Sequence, residues 1–263
     1  MSPEPALALD GVTKRFGGLA VTEDIRFEVP LGARMALIGP NGAGKTTLFN
    51  LISGVYRIDA GRILLGGRAI HDLPPRKRVR AGLSRSFQNI RLMPHLSVVE
   101  NIMLGQHTLA SDLRSLLSPL AWQRKNAWRA QAEESMRRAG IDVDPDTPVS
   151  GLPYGLRKKI EVVRALMSRP RLLMLDEPAA GLNPRETAEL SAFLKSIAWD
   201  GLTLLVVEHD MSFVHDLCDR TVVLNFGRLI YDGPTHGVQD DAQVREAYLG
   251  SRRIAAKGAG LVA

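Results

Sequence analysis

Two short stretches of this chain carry residue types that could do chemistry at the spacing they have. Gly39-Pro-Asn-Gly-Ala-Gly-Lys-Thr-Thr47 matches GxxxxGK[ST]. Gly39, Gly42 and Gly44 allow backbone turns that other residues resist, so the segment Gly39, Pro40, Asn41, Gly42, Ala43, Gly44 can aim successive N–H groups at phosphate oxygens. A helix beginning at Lys45 adds its own free N–H groups. Lys45 is then placed to reach the β- and γ-phosphates, Thr47 belongs with the nucleotide-binding loop, and the Thr46 hydroxyl is placed to meet magnesium. The second stretch, Leu172-Leu-Met-Leu-Asp-Glu177, is an apolar run ending in two adjacent carboxylates. A buried parallel strand delivers such acids to the carboxyl edge of its sheet, where phosphate loops also open. There Asp176 would hold the magnesium, directly or through water, and Glu177 would polarise an attacking water as general base. Alone, a strand followed by Asp-Glu reads equally well as a helix cap; the upstream phosphate loop favours the catalytic reading.

Both stretches need a sheet to hold them. Arg34 to Ile38 reads as a strand running straight into Gly39, and Lys45 to Ser53 has helical apolar spacing. Upstream, Leu7 to Val12 and Ile25 to Val29 read as short strands separated by a turn-rich Arg15-Phe-Gly-Gly18, a β-rich entry. From Leu96 to Gly140 the pattern is helical, with Ser97 and Glu100 spaced as a capping box and a polar, basic stretch from Trp122 to Arg138. A helix near Lys158 to Ser168, a strand at Leu172 to Leu175, a helix at Pro184 to Ile197, a strand at Leu202 to Val207 and further elements to Leu249 follow. Such alternation predicts an α/β fold with a mostly parallel sheet.

Bulk properties narrow the classes. With 263 residues, 45 % of them hydrophobic and 24 % charged, the chain can bury a sizeable core and is unlike a disordered chain. The single cysteine, Cys218, offers neither a disulfide nor a zinc pattern and is expected to pack as a small apolar side chain. Met1 to Asp10 lacks the features of a signal peptide. The longest apolar runs are strand-sized, short of the ~20 residues that span a bilayer, so a membrane role is expected to be peripheral. The net charge of +6 is scattered. Its densest run, Arg76, Lys77, Arg78 and Arg80, reads as a solvated helix start; without an aromatic-interleaved basic motif, no nucleic-acid partner is expected. No internal repeat is visible, so a second nucleotide unit must come from another chain. The Ala-, Gly- and base-rich tail 251–263 is expected to be disordered.

From Leu7 to Leu249 the sequence resembles the ABC transporter ATPases, with that family's motifs in order. The resemblance implies a P-loop NTPase fold over residues 1–250, with an N-terminal antiparallel β subdomain and a helical subdomain at roughly 90–165, and ATP and Mg2+ as cofactors. It implies adenine stacking for Phe16, contact with magnesium and water for Gln88, a γ-phosphate switch for His209, and a dimer-contact loop at Ala180-Gly-Leu-Asn183. The signature, usually LSGGQ, reads Leu152-Pro-Tyr-Gly-Leu156. Gly155 is kept, but Pro153 replaces the serine whose hydroxyl would bind the opposite subunit's γ-phosphate, leaving the backbone N–H groups and dipole of a helix N-terminus. Arg85-Ser-Phe-Gln-Asn-Ile-Arg-Leu92, Leu175 to Pro184, Val207 to Met211 and Tyr248-Leu-Gly250 resemble, more narrowly, the branched-chain amino-acid uptake ATPases. This implies two transmembrane permease subunits, a second ATPase subunit and, indirectly, an extracytoplasmic binding protein, with the chain peripheral on the cytoplasmic face. Two alternatives stand beside it: a non-transport ABC ATPase acting on nucleic acid or ribosomes, and a regulatory subunit with weak catalysis.

Overall fold

The computed structural model describes residues 4–86, 90–108, 121–198 and 201–248. The chain opens with a hairpin, β1 (Leu7–Phe16) against β2 (Leu19–Val29). Both strands are longer than the sequence suggested. Arg15 and Phe16 pair with Ala20 and Leu19, and the turn shrinks to Gly17-Gly18, a two-residue loop of the kind that matches strand twist. After β3 (Arg34–Ile38) and α1 (Lys45–Ser53), β4 (Ala60–Leu65) joins the other side of β1 and β5 (Arg68–Ala69) follows, giving an antiparallel sheet in the order β2-β1-β4-β5.

The second sheet has the order β10-β9-β3-β8-β7-β6, from β6 (Leu83–Arg85), β7 (Leu172–Asp176), β8 (Thr203–Val207), β9 (Arg220–Asn225) and β10 (Arg228–Pro234). It is parallel except for β10, which runs antiparallel to β9. Successive strand residues point to opposite faces, and here each face meets a different core. Ala36, Ile38, Leu173, Leu175, Leu204 and Val206 belong to one apolar cluster. Met35, Leu37, Leu172, Met174, Leu205 and Val207 belong to the other, shared with α1 and the antiparallel sheet. Burial on both faces explains why these strands read as unbroken apolar runs.

The helices are α2 (Pro75–Arg80), α3 (Val98–Met103), α4 (Ala121–Arg138), α5 (Tyr154–Leu166), α6 (Pro184–Ala198) and α7 (Met211–Leu217), with a closing helix at 242–248. The capping box at the start of α3 is present: Glu100 N–H donates to Ser97 Oγ at 3.3 Å and Ser97 N–H to the Glu100 carboxylate at 2.9 Å. Helix α5 starts ahead of the expected Lys158 because extended Pro153 serves as its N-cap, a position that needs no N–H.

The basic run departs from expectation. It does form α2, but Arg78 is buried instead of solvated. Its guanidinium donates to the carbonyls of Leu51 and Ile52 at the end of α1, and to those of His71 and Leu73. Burial pushes its pKa down to about 10, so it stays charged near neutrality and caps the negative end of α1. Cys218 is buried as expected, its thiol raised to about 12 by burial. No helix among the described residues is long and apolar enough to cross a membrane. The expected tail 251–263 and Gln88 lie outside the described residues.

Candidate functional site

The phosphate loop is shaped by close backbone approaches that exclude side chains. Gly39 has φ +150°, and a Cβ there would lie 2.1 Å from the Leu224 carbonyl; at Gly44, with φ +101°, it would meet the Val21 carbonyl at 2.7 Å. Only glycine satisfies both conditions at once. Gly44 is the N-cap of α1, and no side chain caps that helix, so its first N–H groups face the loop as an anion site. Asn41, Gly42 and Thr46 are exposed, while Ala43 is buried and Pro40 and Thr47 are half-buried. The Lys45 ammonium donates to the carbonyls of Gly39 (2.6 Å) and Pro40 (3.0 Å). Burial lowers its pKa, opposed by the nearby charges of Glu177 and Asp176. It is held over the loop, where phosphate oxygens can replace the carbonyls.

Asp176 ends β7, between β8 and β6 in the sheet. Its Oδ2 accepts a hydrogen bond from Arg85 at 2.7 Å. Glu177 follows with φ +48°, a left-handed backbone that a glutamate adopts at a cost of about 1 kcal/mol or more. Its N–H is fixed by the Val207 carbonyl at 2.9 Å and its carbonyl accepts from Ala180 at 3.2 Å. Strand pairing therefore holds the turn that lifts this carboxylate off the strand end. His209 is largely exposed, with Nδ1 3.9 Å from Glu177 Oε1, too long for a hydrogen bond. Its backbone is held from both sides, because Glu208 Oε2 accepts its N–H and Asp210 caps α7 through Ser212 and Phe213. Phe16, at the end of β1, stands 43 % exposed. Tyr56 meets it edge-on at 5.3 Å and Lys14 lies 5.3 Å from its centroid, leaving ring surface open to solvent.

A sequence profile described as "ABC transporter" matches residues 22–180. The chain belongs to the ABC transporter family. It is 38 % identical over 94 % of its length to BraF of Pseudomonas aeruginosa, a high-affinity branched-chain amino acid transport ATP-binding protein, covering 98 % of that protein. The corresponding figures for LivG of Escherichia coli, described in the same words, are 36 %, 94 % and 98 %. A crystal structure of a nucleotide-free ATP-binding cassette from an ABC transporter superposes with a TM-score of 0.82 at 26 % identity, over 93 % of this chain and 98 % of that one. The chain is thus an ATP-binding, ATP-hydrolysing subunit of that family.

Within the cassette, the signature stands on α5. No side chain caps this helix at Pro153, so its start presents free N–H groups with Gly155 among its first residues. A Cβ at Gly155 would come 2.6 Å from the Glu186 carboxylate. Glu186 itself belongs to a box at the start of α6: Asn183 Oδ1 accepts from Arg185 and Glu186, and Glu186 Oε2 accepts from Asn183. The Tyr154 ring lies against Gly181, with the Arg157 and Lys158 cations near its face. The signature and the loop Ala180–Asn183 of the same chain are therefore packed together.

Three participants were missed in the sequence. Glu208 is a buried carboxylate, raised in pKa by burial, that accepts the Ala179 N–H at 2.8 Å as well as that of His209. It ties the loop after Glu177 to the histidine; its place between a strand and His209 was the available signal. Arg85 was quoted only as the first residue of a matching stretch. Tyr248, in the closing helix, has its hydroxyl pKa raised by burial, a rise that the Gly39 backbone opposes, and no local pattern predicts so distant an influence.

Proposed function

We propose that this chain hydrolyses MgATP at the Gly39–Thr47 loop to drive import of branched-chain amino acids or related small solutes. The observation that carries the chemistry is the meeting of an uncapped helix N-terminus with Asp176 and Glu177 at one sheet edge. Among the described residues no group of three or more His, Cys, Asp or Glu could cage a metal. A single carboxylate from Asp176, the Thr46 hydroxyl and phosphate oxygens fit magnesium, which keeps most of its shell as water and phosphate. Gln88 would add to that shell. When bound, the ion neutralises charge on the phosphates.

Lys45 exchanges its two loop carbonyls for β- and γ-phosphate oxygens, while the loop and α1 N–H groups surround the rest. Phe16 stacks on the base. Glu177 accepts a proton from water as it attacks the γ-phosphorus and the bond to the bridging oxygen breaks, ADP leaving, while His209 contacts the γ-phosphate from the facing loop. The α5 N-terminus with Gly155 closes over the nucleotide of a second ATPase subunit, and loss of the γ-phosphate removes the bridge between the two. The helical part, roughly 90–165 within a 1–250 domain, docks a membrane permease pair, so the chain sits peripherally at the cytoplasmic face. The cargo follows from the names of BraF and LivG, because no residue of the nucleotide site touches it.

Affinity capture from gently solubilised membranes tests the assembly. Recovery of two polytopic permeases and a second ATPase supports it; recovery of only soluble, ribosomal or nucleic-acid partners overturns transport while leaving the ATPase chemistry in place.

A further inference from the structure

Two of the magnesium ligands proposed above come from different elements, Thr46 from α1 and Asp176 from β7, and one side chain braces those elements. Arg85, the last residue of β6, is nine-tenths buried. One terminal nitrogen of its guanidinium donates to Asn50 Oδ1 (2.7 Å) and Ser53 Oγ (3.0 Å), both on α1. The other donates to Asp176 Oδ2 at 2.7 Å. The Phe49 ring, again on α1, lies 5.5 Å from the guanidinium carbon. A planar fork fixed on one side by a helix surface and on the other by a carboxylate has little rotational freedom.

We propose that Arg85 is a positioning residue for the metal site, holding the Asp176 carboxylate by Oδ2 so that Oδ1 is turned to the ion carried by the nucleotide on α1. Asp176 is as buried as Arg85, and its neighbour Glu177 is a second carboxylate. Without a partner cation its charge would be costly and its orientation loose. Among the described residues no hydrogen bond to Oδ1 competes with this use. Lysine cannot reproduce the arrangement, because a single ammonium on a flexible stem does not span Asn50, Ser53 and Asp176 in one plane. Arg85 also forms part of the wall of a cleft of about 410 Å3 between α1, α2 and α5, with Val55, Val79, Glu161 and Arg164. The metal ligand is therefore one side chain away from the junction with the helical part.

The inference rests on Asp176 being a magnesium ligand, and the experiment separates the two. Binding of a fluorescent ATP analogue to the purified full-length chain is measured in EDTA and across a magnesium titration, for the parent and for D176N, R85M and R85K. Removing a residue that orients a metal ligand typically costs about 10–100-fold in metal affinity. R85M should bind the analogue in EDTA as the parent does, yet require about tenfold or more magnesium for half-saturation, with R85K intermediate. A lowered melting temperature with an unchanged magnesium midpoint in both Arg85 variants marks a merely structural brace and overturns the proposal. An unchanged midpoint in D176N removes Asp176 as ligand and the proposal with it. If R85M does not fold, N50A, which removes one anchor of the guanidinium, carries the test: a smaller rise in the midpoint supports the proposal and none overturns it.

Discussion

The phosphate loop and the signature helix are both helix N-termini without side-chain caps, both proposed above to meet phosphate, and they are built in opposite ways. At the loop, α1 begins at a left-handed glycine set against the Val21 carbonyl, and Lys45 supplies a side-chain cation beside it. At the signature, α5 begins at a proline, and no side chain caps it. One end commits backbone and side chain together; the other relies on backbone N–H groups held in place by Glu186 and Tyr154. If the signature does meet phosphate as proposed, neighbouring packing has to do there what a hydroxyl donor would otherwise do.

Four measurements would break or sharpen that contrast. The largest effect is expected at the loop's acidic partner: E177Q should lower phosphate release by about 10²–10⁴-fold, the usual contribution of a general base, while nucleotide still binds; undiminished turnover removes the base assignment. Next is the far end of the loop's helix. R78M leaves the Leu51 and Ile52 carbonyls without their cap and should destabilise the fold by about 2–4 kcal/mol, read from the urea midpoint; a shift within error would make that burial incidental. K45A should weaken ATP binding by about 1.5–3 kcal/mol, roughly ten- to a hundredfold, in a titration that needs no hydrolysis. The smallest belongs to the signature. P153S restores a hydroxyl N-cap and should stabilise α5 by about 1 kcal/mol, with less than a tenfold gain in phosphate release when the partner ATPase is present. A larger gain would show that the backbone of α5 alone is an incomplete phosphate site.

Much of the phosphate site was legible because its determinants are local. A strand, a glycine loop and a helix follow one another between Arg34 and Ser53, and the acids lie at the end of one apolar run. The hairpin was legible in kind but short in length, since pairing across Gly17-Gly18 extended strands whose polar residues hid them. Arg78 was misjudged for a different reason. A basic run says nothing about which member meets carbonyls from another helix, and only Arg78 turned inward.

The sequence by itself determined the cradle, the acids, the alternation of strand and helix, and the family, because each is written in residues close together along the chain. Tertiary structure alone decided which charges became internal. Arg85 meets Asp176 across 91 positions, and Glu208 receives the Ala179 N–H across 29. Burial makes a charge dependent on its partner's exact position, and the packing of the sheet and helices around each pair sets that position.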